Sequence, residues 1–158
     1  MQVRDAQDED SVQSCEVMCR SIAELCTSDH KGDPAILERW LGNKTPDVFR
    51  AWIRQSDNNL LVAIDCERVV GVGSVTDQGQ ITLNYVSPDA RFRGVSKTLL
   101  AALECRAASR GCLFCTLNST ETARRFYLAQ GYVETGVPGG HFGTSSGYPM
   151  SKSLRAGV

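Results

Sequence analysis

The sequence lacks an excess of charge of either sign. Its 17 Lys and Arg residues are matched by 18 Asp and Glu residues, which gives a formal net charge of −1. A protein without a strong overall field does not attract nucleic acid or an anionic membrane through its net charge, so anion binding must come from a local cluster. We therefore expect neither nucleic acid nor a membrane as a partner.

Long apolar runs are also lacking. No stretch approaches the roughly 20 apolar residues that cross a bilayer, and the N-terminus has no basic segment followed by an apolar one, as a secretory signal would have. The seven cysteines are an odd number in a chain too long to need disulfide staples. We expect reduced thiols in a soluble, cytoplasmic protein.

The cysteines do not form a metal-ligand pattern either. Cys112 and Cys115 have the spacing of a metal or redox motif, but they lie in a short apolar run that is typical of a strand. Alternation along a strand would send the two sulfur atoms to opposite faces. No second pair with ligand spacing accompanies them, so we expect no metal cofactor.

What the sequence does contain is a pattern of elements for one core. With 158 residues and 42% hydrophobic residues, we expect a single domain over residues 1–158. The order β-ααα-βββ-α-β-α-ββ predicts an α/β or α+β fold, with residues 27–34 as a polar break and 136–147 as a glycine-rich loop. The predicted strands are 2–4, 60–64, 69–75, 81–86, 112–117, 132–135 and 148–154, and the predicted helices are 8–26, 34–41, 46–54, 95–110 and 120–130.

A basic turn precedes the helix that begins at Val95. The first amides of a helix have no partner within it and carry the positive end of the helix dipole, so they can bind phosphate. Gly94 lets the backbone approach a ligand, and the side chains of Arg91, Arg93 and Lys97 can bind phosphate oxygens. A lysine in the first helical turn is electrostatically unfavourable without an anion. The turn predicts a polyphosphate site, with a solvated basic turn as the alternative.

Two nucleotide-binding motifs do not fit this turn. A nucleoside-triphosphate P-loop needs glycines immediately before its lysine and five residues earlier, where this chain has Ser96 and Arg91. A dinucleotide fingerprint needs several glycines, and only Gly94 is present.

Residues 86–97 resemble the acetyl-coenzyme-A loop of the GCN5-related N-acetyltransferases (GNAT), whose signature is Gln/Arg-x-x-Gly-x-Gly/Ala. Arg91 and Gly94 match that signature, and Ser96 replaces the usual Gly or Ala with another small residue. The resemblance continues through residues 99–104 and 118–132.

The resemblance implies a single-domain GNAT fold with a mixed, mostly antiparallel sheet flanked by helices. The fourth and fifth strands would splay apart, and the pantetheine arm of acetyl-coenzyme A would insert between them like a missing strand. Backbone groups of Val86 would orient the thioester, and the amides of residues 93–98 would hold the pyrophosphate. The coenzyme-binding residues implied in this way are Val86, Ser87, Arg91, Phe92, Arg93, Gly94, Val95, Ser96, Lys97, Thr98 and Asn118.

The implied reaction is direct transfer of an acetyl group to a neutral amine in a ternary complex. Tyr127 would stand near the sulfur atom of the coenzyme. With an unperturbed pKa of about 10, a tyrosine is protonated at neutral pH and can give a proton to the departing thiolate. We predict Tyr127 as the general acid, with a structural tyrosine packed beside Phe126 as the alternative.

The general base is not assigned by the sequence. Some relatives carry a glutamate on the fourth strand, where this chain has Thr82 and Asn84. Asp29, His30 and His141 lie in predicted loops that could overhang the amine side of the cleft, and a water chain is a further alternative.

The acceptor amine also stays open, with a polyamine, an aminoglycoside, an amino acid and a protein N-terminus as alternatives. The helices of the N-terminal half, with residues 22–26, Trp40 and Trp52, could wall the acceptor pocket, and Glu24 or Asp29 could receive a cationic amine. The alternative is that these amphipathic helices only cover the sheet. A noncatalytic acyl-coenzyme-A-binding module is the alternative from another functional class. Dimers are the commonest soluble assembly, and the C-terminal strands could form a homodimer interface.

Overall fold

The computed structural model describes residues 1–141 and 144–154, with the backbone alone at 141 and 144–146. Short 3-10 turns lie at Asp8–Asp10 and Pro88–Ala90. The helices are α1 (Ser11–Leu25), α2 (Thr27–His30), α3 (Pro34–Leu41), α4 (Pro46–Arg54), α5 (Val95–Ser109) and α6 (Arg124–Ala129). The strands are β1 (Gln2–Asp5), β2 (Asn58–Asp65), β3 (Arg68–Thr76), β4 (Ile81–Val86), β5 (Phe114–Ser119), β6 (Val133–Glu134), β7 (Gly139–His141) and β8 (Thr144–Ser153).

The strands form two antiparallel groups that meet at one point. The first has the order β1-β2-β3-β4, and the second has the order β5-β8-β6 with β7 also paired to β8. The groups join where Gln80 bridges Thr116, whose amide donates to the Gly79 carbonyl at 2.9 Å. Among the described residues, β4 and β5 make no further bridge to each other, so a gap opens between them.

Helices cover both faces of the first group of strands. On β3, Val72 packs in a cluster with Met18 of α1 and Phe49 of α4. The adjacent Gly73 faces α5 so closely that a Cβ there would lie 2.9 Å from Leu103 Cδ1. Alternation along the strand therefore divides the core into two layers. The mixed, mostly antiparallel sheet flanked by helices that was expected from the sequence is confirmed.

Local sequence signals place several elements correctly. The bounds of α3, α4 and β4 agree with those predicted. Helix α4 begins sharply because the Thr45 hydroxyl accepts a hydrogen bond from the Val48 amide at 3.3 Å, and proline occupies the first helical position.

The predicted and observed elements differ most in three places, and β5 begins two residues later than predicted, at Phe114. The polar break contains the short helix α2, and part of the predicted glycine-rich loop forms the β7–β8 hairpin, in which Gly139 pairs with Gly147. Helix α6 begins at Arg124 instead of 120, because residues 121–123 form a turn. No helix in residues 1–141 and 144–154 has both the length and the apolar character needed to cross a membrane.

Candidate active site

A cleft of about 410 Å³ opens where β4 and β5 diverge. Its walls are β4, the C-terminal part of β5, the basic turn with the first turn of α5, the α6 region, and the C-terminal end of α1. It therefore combines an unpaired strand edge with a helix N-terminus, as an extended ligand that carries a phosphate group requires.

Alternation along β4 gives the cleft two different sides. Asn84 faces α6, where its Nδ2 donates a hydrogen bond to Tyr127 Oη at 3.2 Å. Tyr85 faces the opposite way and packs with Ile22 of α1 and with Cys26, which follows that helix. Its Oη accepts a hydrogen bond from Trp40 Nε1 at 3.1 Å. Each tyrosine oxygen thus receives an N–H, which leaves its own proton available for another acceptor.

Tyr127 is buried, with 6% of its surface exposed. The rings of Phe126 and Tyr132 lie against it edge-on, with centroids 5.2 and 5.6 Å away. Burial raises the pKa of Tyr127 to about 12, and the hydrogen bond from Asn84 opposes this only partly. The hydroxyl therefore stays protonated throughout the neutral range.

Asn84 has one unsatisfied atom. Its Oδ1 is buried and has no hydrogen-bond partner among the described residues. A buried acceptor without a partner costs about 1–3 kcal/mol. Because Asn84 lines the cleft, an N–H group of a bound ligand could remove that cost.

The basic turn forms one end of the cleft. Gly94 has a φ of +77° and precedes Val95, the first residue of α5. The first hydrogen bond of the helix runs from the Thr98 amide to the Gly94 carbonyl at 3.0 Å, so the three amides between them lie before the helical ladder. The Phe92 ring is 93% exposed at the mouth, and the Arg91 guanidinium lies 4.6 Å from its centroid.

Most of the residues predicted to bind the coenzyme come together here. Three do not line the cleft: Thr98, whose amide belongs to the helix, and Ser87 and Arg93, which line a separate cavity of about 250 Å³. Arg93 forms an ion pair with Asp65, and the Ser87 hydroxyl accepts a hydrogen bond from an amide of the next turn. Those that line the cleft are Val86, Arg91, Phe92, Gly94, Val95, Ser96, Lys97 and Asn118, together with Tyr127.

The candidate bases in α2 are structural residues that do not line the cleft. Asp29 is buried, and its carboxylate accepts hydrogen bonds from the Glu121 amide at 2.7 Å and from the Thr122 amide and hydroxyl. His30 Nδ1 accepts from the Gly32 amide at 2.9 Å, so Nε2 carries the proton and donates to the Ile22 carbonyl at 3.0 Å.

The structure places the other residues predicted for the acceptor side in different positions. Thr82 lines the cleft with Asn84, and the side chain of His141 lies outside the part of the chain that the structure describes. Glu24 forms an ion pair with Arg20 and does not line the cleft.

Sequence reasoning missed Tyr85. The period-2 pattern of β4 could have indicated it, because a side chain next to Asn84 must face the other side of the strand. The cleft beside Tyr85 is lined by three residues at the end of α1 or directly after it: Ser21, Leu25 and Cys26. Two of them, Leu25 and Cys26, belong to the segment 22–26 that was predicted to wall the acceptor pocket. Burial raises the pKa of the Cys26 thiol to about 12, which keeps it protonated.

Comparison with known proteins supports one family. Residues 24–154 match the family described as acetyltransferase (GNAT) domain, whereas a search of curated proteins finds no significant match. Among solved structures, a GCN5-related N-acetyltransferase from Rhodopseudomonas palustris is similar, with a TM-score of 0.82, 28% identity, and 96% of this chain and 94% of that chain covered.

Two further structures share the fold. The PaiA N-acetyltransferase of Thermoplasma acidophilum, solved with coenzyme A, has a TM-score of 0.81 and 20% identity, with 96% and 98% of the two chains covered. The aminoglycoside 6′-N-acetyltransferase of Enterococcus faecium has a TM-score of 0.73 and 15% identity, with 98% and 97% covered.

Proposed function

The chain belongs to the acetyltransferase (GNAT) domain family, and on this basis we propose that it transfers the acetyl group of acetyl-coenzyme A to a primary amine by direct attack in a ternary complex. The observation that carries the proposal is the cleft between β4 and β5. It combines a basic helix N-terminus at one end with a buried tyrosine that can donate its proton.

Acetyl-coenzyme A would bind along the diverging edge of β4. Backbone groups of this edge have no strand partner beyond Gln80 among the described residues, so the pantetheine amides can pair with Val86. The amides of Val95, Ser96 and Lys97 would hold the pyrophosphate, with the Arg91 and Lys97 side chains adding charge-assisted contacts. Asn118 lies on the facing strand, β5, and lines the cleft, so it would contact the coenzyme from that side.

In the proposed reaction, the neutral amine nitrogen attacks the thioester carbonyl carbon. A C–N bond forms, the tetrahedral intermediate collapses, and the C–S bond breaks with the electron pair on sulfur. Tyr127 Oη gives its proton to this sulfur, and the proton lost by the amine returns to Tyr127 through water. The products are an N-acetylated amine and the free thiol of coenzyme A.

Asn84 supports this role of Tyr127 as a positioning residue. Because Asn84 Nδ2 donates the hydrogen bond to Tyr127 Oη, the phenolic proton of Tyr127 does not take part in the hydrogen bond between the two side chains. The pKa of about 12 keeps this proton in place until negative charge develops on sulfur. Sulfur bound in the same buried environment would also have a raised proton affinity, which favours the transfer.

The test is amine-dependent release of thiol from acetyl-coenzyme A, measured with a panel of primary amines. We expect release that requires both substrates. A protein that binds acetyl-coenzyme A but releases no thiol with any amine would be a noncatalytic binding module and would contradict the proposal.

Replacement of one tyrosine tests the assignment of the acid. Tyr127→Phe should lower kcat by about 10²-fold or more at saturating acetyl-coenzyme A, the usual scale of general acid catalysis. The matched control is Tyr132→Phe, since Tyr132 is buried against Tyr127 but donates to Glu104 at 2.7 Å. Equal kcat values for the two variants would remove Tyr127 from the mechanism.

A further inference from the structure

The acceptor side of the cleft can be distinguished from the donor side by the direction of the β4 side chains. Asn84 and the basic turn belong to the side that contains α5 and α6, where the coenzyme is proposed to bind. Tyr85 packs with the α1 end on the other face of the strand. An amine that approaches the thioester from the side opposite to the coenzyme therefore meets Tyr85, Leu25 and Cys26 first.

Among the described residues, no carboxylate lines this side of the cleft. The charged residues that do line it, Arg91 and Lys97, are both cationic. Residues 135–158 of the sequence contain no Asp or Glu side chain.

The acidic side chains close in sequence to the lining residues of the α1 end and the turn before α6 are bound to other groups. Asp29 holds the turn before α6 through hydrogen bonds from Glu121 and Thr122. Glu24 pairs with Arg20, and the Glu121 carboxylate accepts the Tyr148 hydroxyl. A second ammonium group in the acceptor would therefore be desolvated without a carboxylate partner, which is costly.

A buried contact also links two walls of the cleft on the acceptor side, the α1 end, through α2, and the turn before α6. The Asp29 carboxylate ties α2 to the turn before α6, across the cleft from α1, and α2 packs against β8. Asp29 is 5% exposed, so the tie is a buried contact between segments about ninety residues apart in sequence. We infer that an extended polypeptide running between these two walls would have to break this contact.

We propose that the acceptor is a small primary amine whose body carries no second positive charge, bound against Tyr85 and the α1 end. This inference rests on the proposed acetyltransferase function and narrows it. Among the described residues, Tyr85 Oη accepts one hydrogen bond, from Trp40, so its second lone pair can accept an N–H of the neutral amine. The apolar side chain of Leu25 would contact the body of the acceptor.

The test compares kcat/KM for 2-phenylethylamine, spermidine, kanamycin and a hexapeptide with a free N-terminus. We expect 2-phenylethylamine to exceed each of the other three by about tenfold or more, a ratio well above experimental scatter. Equal or greater kcat/KM for spermidine, kanamycin or the peptide would overturn the inference and leave the acetyltransferase function intact.

A binding measurement applies if none of these amines reacts. Covalent conjugates of coenzyme A with 2-phenylethylamine and with spermidine are titrated calorimetrically against the wild-type protein, with coenzyme A as reference. The inference requires the first conjugate to bind more tightly than coenzyme A and more tightly than the second. The reverse order overturns the inference alone, whereas no binding of coenzyme A itself overturns the proposed function.

A pair of variants tests the role of charge directly. Leu25→Glu places a carboxylate on the acceptor wall, and Leu25→Gln adds a side chain of nearly the same shape without charge. The ratio of kcat/KM for spermidine to that for 2-phenylethylamine should rise about tenfold in Leu25→Glu relative to Leu25→Gln. An unchanged ratio in a folded Leu25→Glu protein would contradict the inference.

Discussion

Asn84 sets the direction of the hydrogen bond to the buried tyrosine of the cleft. Its amide donates to Tyr127 Oη, so the tyrosine proton remains available for another acceptor, which in the proposed reaction is the leaving sulfur. Asn84→Asp replaces the donor by a carboxylate, which can only accept, and the Tyr127 hydroxyl would then donate to it. We expect kcat to fall by about 10²-fold while the KM for acetyl-coenzyme A stays nearly constant.

The split between kcat and KM makes this prediction specific. A purely structural role of Asn84 would lower the melting temperature and leave kcat per folded molecule unchanged. Unaltered kcat in Asn84→Asp would show that the Asn84 to Tyr127 hydrogen bond does not serve the reaction.

Lys44 is a residue whose charge acts against stability. Its side chain is 6% exposed, and burial lowers its pKa from 10.5 to about 8. Between these values the unfolded chain binds the proton and the folded chain does not, so stability rises with pH across this window. Lys44 Nζ donates a hydrogen bond to Asn43 Oδ1 at 2.8 Å, yet below about pH 8 the folded protein still carries a positive charge that burial disfavours.

Replacement of Lys44 by an apolar side chain of similar length should remove this cost. Lys44→Met should raise the free energy of unfolding at pH 7 by on the order of 2 kcal/mol, and the gain should disappear near pH 10.5. Denaturant unfolding at both pH values measures it, with the exposed Lys31→Met as control. A gain that is the same at both pH values would refute the electrostatic explanation.

At the scale of elements, the cleft depends on the junction between β4 and β5, where Gln80 bridges Thr116. Gly79 lies at this junction with a φ of +89°, and a Cβ there would be 2.4 Å from the Phe114 carbonyl oxygen. Gly79→Ala must therefore push the start of β5 away from β4. We expect destabilisation of a few kcal/mol and a higher KM for acetyl-coenzyme A.

The matched control for this prediction is Gly111→Ala. Gly111 has nearly the same φ, +87°, but a Cβ there meets no atom within 4 Å. The Gly111→Ala variant therefore has the backbone strain of the substitution without the steric clash. It should leave the KM for acetyl-coenzyme A unchanged. Equal effects of the two variants on KM would mean that the junction does not set the cleft.

Elements with local signals were predictable from sequence, and elements held by distant contacts were not. The start of α4 follows from Thr45 and Pro46, which act within one turn. Helix α6 begins later than predicted because a turn precedes it. That turn is held by the Asp29 carboxylate, which accepts a hydrogen bond from the Glu121 amide, 92 residues away in sequence. No local pattern in the sequence reports that contact.

The residues of the candidate site also fall into those that the sequence could identify and those that required the structure. Gly94 and Tyr127 could be identified because they lie in contiguous motifs. The hydrogen bond from Trp40 that orients Tyr85 joins a helix to a strand 45 residues later, so it required the structure. The basic turn was only partly predictable, since Arg93 pairs with Asp65 of β2, outside the motif.

For the whole molecule, the two groups of strands join only at the bridge between Gln80 and Thr116 among the described residues. A ligand that inserts along β4 and β5 should therefore stabilise the entire fold. At a free concentration of about 100 times its Kd, coenzyme A should raise the free energy of unfolding by about 2.7 kcal/mol and raise Tm by roughly 5 °C or more.

Adenosine 3′,5′-bisphosphate, which lacks the pantetheine arm, is the control ligand for this measurement. At equal concentration it should raise Tm much less than coenzyme A, because it can reach the basic turn but not the strand edges. Equal shifts for both ligands would place all the binding at the turn and would contradict insertion of the arm between β4 and β5.

We propose that the acetyl group passes directly from coenzyme A to an amine within this cleft, and initial rates of thiol release with both substrates varied test this proposal. We expect amine-dependent rates with intersecting reciprocal plots, because both substrates must be bound together. The buried Cys26 thiol, whose pKa is raised to about 12, is not a ready nucleophile. Parallel plots, which indicate an acetylated protein intermediate, or rates independent of amine would contradict the proposal.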